Sequence, residues 1–230
     1  MHPKFESLVD RLVSKMEMSQ VPVPGFIIGL SGTDSLVAFM LCYRAAEKMG
    51  ITNYVHGVHL YVEKRTWFDK EIIPWLDEHF IGANVKALSG MLHFSDEYRW
   101  AAIRERAKSE NLWTVGTMNA TEKALGKYSL ASTAVSLQSL QKLWKTEILD
   151  ICRAYEVPSI AIENSMIPDC MCGRDEFYAD NIRLIDSLLS FGKIEFNSWD
   201  KDYPKIKKAL EYIQTEKTNN GFRDRIPYTL

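Results

Sequence analysis

The residues that could do chemistry gather where a short apolar run ends. Gly29-Leu30-Ser31-Gly32-Thr33-Asp34-Ser35 follows Phe26-Ile27-Ile28 and leads into a helix-like pattern. A strand, a small-residue turn and a helix start aim backbone N–H groups outward, and the helix dipole favours negative charge there. Ser31, Thr33 and Ser35 add hydroxyl donors around Gly32. Asp34 repels a phosphate unless a cation lies between them, so the pattern calls for Mg²⁺ bridging Asp34 to phosphate oxygens. The same residues would equally cap an ordinary βα turn.

Other constellations carry less. Cys170-Met171-Cys172 could be a metal or redox pair, but zinc would need two further ligands and no second C-x-x-C or H-x-x-x-H occurs. Packing in a loop is the other reading of these thiols. His56 and His59 are three apart on an expected strand and so point to opposite faces, which argues against a shared metal. His59 could border a ligand at the strand end or simply be a satisfied sheet histidine. No G-x-S-x-G nucleophile elbow is present.

The elements that would position these groups alternate in period. Strands are expected at 26–30, 54–61, 84–88, 112–117 and 159–162, and helices at 35–48, 66–80, 95–111 and 145–155. Pro74 should kink or interrupt the second helix. Residues 163–174 read as a loop, 175–191 and 204–215 as two further helices, and 218–221 as a turn. Strands alternating with helices imply βαβ units. The expected fold is a three-layer α/β domain spanning residues 1–230, with a mostly parallel sheet of about five strands and helices on both faces.

Composition closes off several classes. The 230 residues are 46% hydrophobic and 25% charged, with 28 Lys+Arg against 30 Asp+Glu and a net charge of -2. This is ordinary globular usage, and it gives no sign of a protein that grips nucleic-acid backbones. No apolar run approaches the length of a membrane span, residues 1–15 lack the apolar core of a signal peptide, and four cysteines make no disulfide framework. The expected location is the cytoplasm.

The loop at Ser31–Ser35 resembles the S-G-G-x-D-S pyrophosphate loop of the ATP pyrophosphatases, one glycine short, and within them the chain is similar to the NAD synthetases. Val115-Gly116-Thr117-Met118-Asn119-Ala120-Thr121-Glu122, with Gly126, resembles G-T-x-N-x-x-E-x-x-x-G. The resemblance places Thr117 near ATP and makes Glu122 a Mg²⁺ ligand. Bottom-up, a strand ending in Gly-Thr lies at the carboxyl edge of a parallel sheet, where such folds bind ligands. Glu122 could share a cation with Asp34 or be a solvated helix residue. Leu143-Trp144-Lys145-Thr146-Glu147-Ile148 is similar to L-Y-K-T-Q-V, in which the Lys meets ATP phosphate. A Lys there could neutralise a leaving pyrophosphate or snorkel at the surface. Arg99 matches the second Arg of R-x-R, with Glu97 at the first, in a region that faces the acceptor and the dimer partner. Its neighbours Trp100, Ile103 and Ala107 form an apolar face that could serve the dimer or the chain's own sheet. Asp169 and Gly173 align with P-S-A-D-L-x-x-G, Met166-Ile167 replacing Pro-Ser, and Phe222–Pro227 faintly resembles H-K-R-x-x-P.

The resemblance implies an adenine nucleotide alpha hydrolase-like fold and an ammonia-dependent ligase. ATP would adenylate a carboxylate, deamido-NAD in the family, and ammonia would displace AMP. Asp34, Lys145 and Asp169 would be catalytic. Ser31, Gly32, Thr33, Asp34, Ser35, Arg99, Thr117 and Lys145 would hold ATP, and Asp34 and Glu122 would hold Mg²⁺. A homodimer and a small nucleotide substrate complete the expectation. With no glutaminase segment among the residues, nitrogen would come from free ammonia or a separate partner. One departure stands out. Where the family has G-D-G-G-A-D, residues 123–144 contain no Asp or Glu, and Ser129, Ser132, Thr133 and Ser136 suggest a neutral hydroxyl-lined surface. The nucleotide half of the resemblance is therefore better supported than the amide step. An ATP pyrophosphatase with a nucleobase or tRNA-type acceptor, or a non-catalytic nucleotide-binding homologue, are the alternatives.

Overall fold

In the computed structural model, residues 2–19, 25–61, 66–89, 95–168, 175–191, 202–221 and 223 are described. β1 (Phe26–Gly29) is apolar throughout because both its faces are covered. Phe26 and Ile28 enter one cluster and Ile27 the opposite one, as the two-residue strand period requires. β2 (Val55–Tyr61), β3 (Asn84–Ser89), β4 (Trp113–Gly116) and β5 (Leu137–Gln138) complete the described sheet. Its order is β3-β2-β1-β4-β5 and every pairing is parallel.

The layers are unequal. α1 (Pro3–Glu17), α2 (Thr33–Met49), α3 (Ile73–His79) and α6 (Lys145–Ala154) contribute to the larger cluster on one face of the sheet. α4 (Asp96–Glu110) covers the other face with Trp100, Ile103 and Ala107 against Ile27, Val58 and Leu112. α4 is bounded as its sequence demands: Ser95 accepts the Tyr98 N–H at its start, and Asn111 ends it in the left-handed conformation (φ 52). Beyond the sheet, α5 (Ala120–Leu125), α7 (Ser159–Ser165), α8 (Glu176–Phe191, kinked at Asn181) and α9 (Tyr203–Asn220) follow. α8 and α9 pack with Leu125 of α5 in a separate apolar cluster.

Three expectations need correction. Residues 159–162 are not a strand: they begin α7 after Pro158, and its buried Ala161 and Ser165 lie four apart, the spacing of a helix face. The fifth strand is Leu137–Gln138, held by pairing with Val115 and Gly116, and two residues are too few to show a period. Residues 218–220 continue α9 instead of turning, because Thr218 and Asn220 return their side chains to the carbonyls of Gln214 and Glu216. The expected interruption at Pro74 is present: regular α-helix resumes only at Ile73. A π-helical turn, Phe68–Ile72, precedes it and Pro74 sits in the first turn of α3, where its missing N–H costs nothing. The mixed stretch at the start of the chain forms α1, whose Phe5, Val9, Leu12 and Met16 make one buried stripe. The face formed by Trp100, Ile103 and Ala107 is used within the chain.

Gly25 guards the entry to β1. Its carbonyl accepts the Trp113 N–H at 3.0 Å, and a Cβ there would lie 1.9 Å from the Tyr54 carbonyl oxygen. The obstacle is backbone, so no rotamer relieves it. Gly25→Ala is expected to destabilise the chain by about 2 kcal/mol or more. A urea titration checks this: the midpoint should fall with the slope unchanged.

Candidate active site

Strand order locates the crevice before any side chain is considered. From β1 the sheet grows outward through β2 and β3 on one side and through β4 and β5 on the other. Connections leaving β1 and β4 therefore diverge, and the gap between their carboxyl ends is where open α/β sheets receive ligands. Two loops border that gap. One is 30–32, running into α2; the other is 117–119, running into α5.

The first loop shapes itself. Ser31 N–H and Gly32 N–H both donate to Ser35 Oγ, at 2.8 and 3.0 Å, and that hydroxyl donates to the Gly32 carbonyl at 2.7 Å. Ser35 is buried, so its hydroxyl holds the turn at the head of α2. Gly32 is extended (φ -173), and a Cβ there would meet nothing within 4 Å. The space in front of the loop is open. His59 supports the loop from β2: its Nδ1 lies 2.8 Å from the Leu30 carbonyl and its ring stacks on Phe68 at 3.8 Å. Buried and bonded at Nδ1, it fits the sheet-histidine reading of the two above. His56 faces the other way, towards Glu110 at 2.6 Å, as the strand period requires. Burial lowers its pKa below the ordinary value, with Glu110 opposing that shift.

At the second loop, Asn119 is fully buried and caps α5 reciprocally. Its Oδ1 accepts the Glu122 N–H at 2.8 Å, and Glu122 Oε2 accepts the Asn119 N–H at 3.1 Å. The remaining amide, Nδ2, crosses the gap to donate to Asp34 Oδ1 at 2.8 Å. Asp34 and Glu122, expected to act together, are thus joined through one intervening side chain. Thr117 is half-buried at the carboxyl end of β4 on the same edge.

Lys145 completes the group. It is not a snorkelling surface residue: only 3% of its side chain is exposed. Its Nζ donates to Thr33 Oγ1 at 2.9 Å and pairs with the second carboxylate oxygen of Asp34. Its backbone N–H donates to Thr121 Oγ1 at 3.0 Å. Thr121 in turn donates to Asp186 Oδ1 at 2.5 Å, and Asp186 Oδ2 accepts the Thr146 N–H at 2.8 Å. Burial raises the Asp186 carboxyl above its usual range, against the lowering effect of the Thr121 and Thr146 hydrogen bonds and the Lys145 charge. Cys152, on the same helix as Lys145, is pushed by burial up to about 12 and is no nucleophile.

The structure thus brings together Ser31, Gly32, Thr33, Asp34, Ser35, Glu122 and Lys145. Among the described residues no hydrogen bond draws Arg99 in: its guanidinium pairs with Asp96 of its own helix at 2.5 Å. The hydroxyl-lined surface expected over 129–136 is not a free one. Ser132 donates to the Ser129 carbonyl, Thr133 to the Leu130 carbonyl, and Ser136 is engaged with Thr114. Asp169, Cys170, Cys172 and Gly173 lie outside the described residues, as does the tail apart from Arg223, which clamps the carbonyls of Gly126 and Tyr128. Sequence reasoning gave no role to Asn119, Thr121 or Asp186. The Asn-x-x-Glu capping pattern signals the first. An acid on the apolar stripe Ile182, Ile185, Asp186, Leu189 signals the last.

Known proteins share this fold. No family model matches the chain. Over 161 residues it is 24% identical to an NH(3)-dependent NAD(+) synthetase from Thermotoga maritima, covering 68% of this chain and 56% of that protein. The chain thus spans little more than half the length of that curated relative. The structure of NMN synthetase from Francisella tularensis superposes with a TM-score of 0.72 at 20% identity, covering 98% of both chains. NH3-dependent NAD synthetase from Campylobacter jejuni gives 0.67 at 15% identity, covering 98% of this chain and 97% of that one. In sequence the chain is similar to NH3-dependent NAD synthetases, and its fold matches theirs with 98% of the chain covered.

Proposed function

We propose that this chain, acting as one catalytic unit over residues 1–230, is an ATP-dependent, ammonia-using amide ligase of the NAD synthetase type. It would adenylate the carboxylate of deamido-NAD, release pyrophosphate, and let ammonia displace AMP to give the amide. The observation that carries the reading is the linked set Asp34, Asn119, Glu122 and Lys145 at the gap between β1 and β4.

Each residue has a task that its surroundings suit. The turn at Ser31–Gly32, shaped by Ser35, places the head of α2 and its dipole before open space, where the ATP phosphates would lie. Thr117 stands half-buried on the same sheet edge, and the buried Thr33 accepts from Lys145. Lys145 holds a positive charge in a nearly dry position, the condition under which it best stabilises charge on departing pyrophosphate. Among the described residues no three His, Cys, Asp or Glu side chains converge as a ready-made metal cage. Two carboxylates completed by phosphate oxygens and water are nonetheless the usual environment of Mg²⁺, and Asp34 and Glu122 fit it. Bound there, Mg²⁺ would supply neutralisation of phosphate charge. Arg99 and Asp169 remain candidates for the acceptor side and the amide step.

We also infer that the working form is a homodimer in the cytoplasm. No helix among the described residues is long and apolar enough to cross a membrane. With Trp100, Ile103 and Ala107 buried against the chain's own sheet, a partner would have to meet other faces of α4, where Tyr98 is 61% exposed. Sedimentation should show a dimer at high micromolar concentration; a monomer there removes both the dimer and any acceptor site shared between copies.

Asp34→Ala and Glu122→Ala are both expected to abolish Mg²⁺-dependent ATP binding in a calorimetric titration. Unchanged affinity in both would sink the site assignment. Asp34→Ala should also destabilise the fold, by about 3 kcal/mol, because it strands the buried Lys145 ammonium. Glu122→Ala should cost about 1 kcal/mol, since it removes half of a reciprocal helix cap.

The amide step is open to direct assay. Residues 123–144 offer no acid to place ammonia. Lost placement of a nucleophile is commonly worth roughly two to four orders of magnitude in rate. At saturating ammonia, NAD should form from deamido-NAD slowly relative to a synthetase with acids in that interval, and more slowly still in Asp169→Asn. Robust turnover that survives Asp169→Asn returns the protein to an ordinary synthetase. Pyrophosphate release without NAD moves the acceptor elsewhere, with nicotinate mononucleotide the next carboxylate to offer. Release of neither product leaves a nucleotide-binding homologue.

A further inference from the structure

α8 carries an acid that the proposed chemistry does not use and that its helix does not need. Asp186 is 3% exposed and stands on the apolar stripe that otherwise packs α8 against its neighbours. A buried carboxylate survives only where it is hydrogen-bonded or paired, and this one is. Its bonds go to the approach and start of α6: through Thr121 to the Lys145 N–H, and directly to the N–H and side chain of Thr146.

The start of α6 explains why. Trp144, at the N-cap position, offers no side-chain oxygen to the first N–H groups of the helix. Glu147 reaches back only to the Trp144 N–H, at 2.9 Å. The N–H groups of Lys145 and Thr146 would be left open in a buried place, at a cost comparable to a lost hydrogen bond each. Thr121 from α5 and Asp186 from α8 fill the positions that a local cap would take. Two elements distant in sequence, α5 and α8, thus fix the backbone from which the Lys145 side chain reaches Thr33 and Asp34.

We propose that Asp186, acting with Thr121, is a positioning residue for Lys145: an N-cap supplied by α8 that sets where the Lys145 ammonium stands in the phosphate site. The proposal rests on the ligase reading of that site. It goes further in making α8, which contributes no group to the phosphate cleft, a determinant of catalytic rate. A small displacement of a charged group from a departing phosphate chiefly lowers kcat, since its contact is strongest in the transition state.

The test uses the full chain with ATP, Mg²⁺, deamido-NAD and ammonia, following pyrophosphate release. Asp186→Asn keeps the size of the side chain and removes its charge and one acceptor. Thr121→Val removes the bridging hydroxyl, and Thr121→Ser restores it. In Asp186→Asn and Thr121→Val, kcat should fall by roughly ten- to a hundredfold while KM for ATP stays within about threefold. Thr121→Ser should recover most of the loss. In a Lys145→Met background, Asp186→Asn should cost little more, because a residue that acts through Lys145 has nothing left to act on.

Amide hydrogen exchange at Lys145 and Thr146 reads the capping separately from turnover, and both amides should exchange faster in Asp186→Asn. An unchanged kcat in Asp186→Asn would overturn the proposal. So would a full additional loss in the Lys145→Met background. If the wild-type chain releases no pyrophosphate, the ligase reading falls, and exchange decides the capping alone. Faster exchange supports it and unchanged exchange overturns it. Should Asp186→Asn fail to fold, Thr121→Val and its Ser rescue carry the same comparison.

Discussion

The ammonium of Lys145 is the constraint on which the site depends. A charge with 3% of its side chain exposed is tolerable only beside a fixed opposite charge and further acceptors. Asp34 supplies the charge and Thr33 an acceptor, both from the first turn of α2. Asp34 in turn is steadied by Asn119 from the loop after β4. The pair therefore ties α6 to the head of α2, and Asn119 ties that head to α5. None of these elements could shift by much without leaving a buried charge or amide unmatched.

Sheet topology makes such a cluster available. Only at the point where strand order reverses do two adjacent strands send their following helices apart, opening a crevice at the carboxyl edge. Here those strands are β1 and β4, paired from Phe26↔Trp113 to Ile28↔Val115. Gly29 and Gly116 follow directly at that edge, and both are closely covered. A Cβ on Gly29 would sit 2.6 Å from Ile103, and one on Gly116 would sit 2.4 Å from Gln138. Side chains there would press on α4 and β5, so small residues keep the sheet edge close to its neighbours beside the crevice.

Much of this was legible in the sequence, and the part that was not has a physical cause. β1, the turn and α2 announce themselves because one short apolar run, one Ser-Gly turn and one long amphipathic pattern each carry a local signal. The same holds for α4, with Ser95 and Asn111 at its ends. β5 carries no such signal: it is strand only because Val115 and Gly116 lie beside it. α7 was obscured because Ile160, Ala161 and Ile162 are all apolar, a run that suits either period until Ser165 is seen buried one turn on. Thr121 and Asp186 matter through contacts across 24, 40 and 65 positions of chain, which no local window samples.

The hydroxyls of residues 129–136 lead to the last step. Read as a sequence they suggested a polar surface in place of the missing acids. In the fold they satisfy carbonyls and one another along a stretch with little regular structure, where β5 is only two residues long. A segment with so few ladder bonds needs another source of satisfaction for its backbone, and short side chains supply it locally. The cations that reach this stretch are engaged with its backbone, Arg104 with the Ala131 carbonyl and Arg223 with that of Tyr128. The absence of Asp and Glu from this interval is therefore consistent with how the segment folds, whatever it implies for ammonia. The acids that the site does hold are each assigned: Asp34 to Lys145 and Asn119, Glu122 to the cap of α5, Asp186 to the start of α6. All three sit where backbone N–H groups or a buried ammonium would otherwise go unmatched, so the contacts that stabilise the fold here are the same ones that arrange the site.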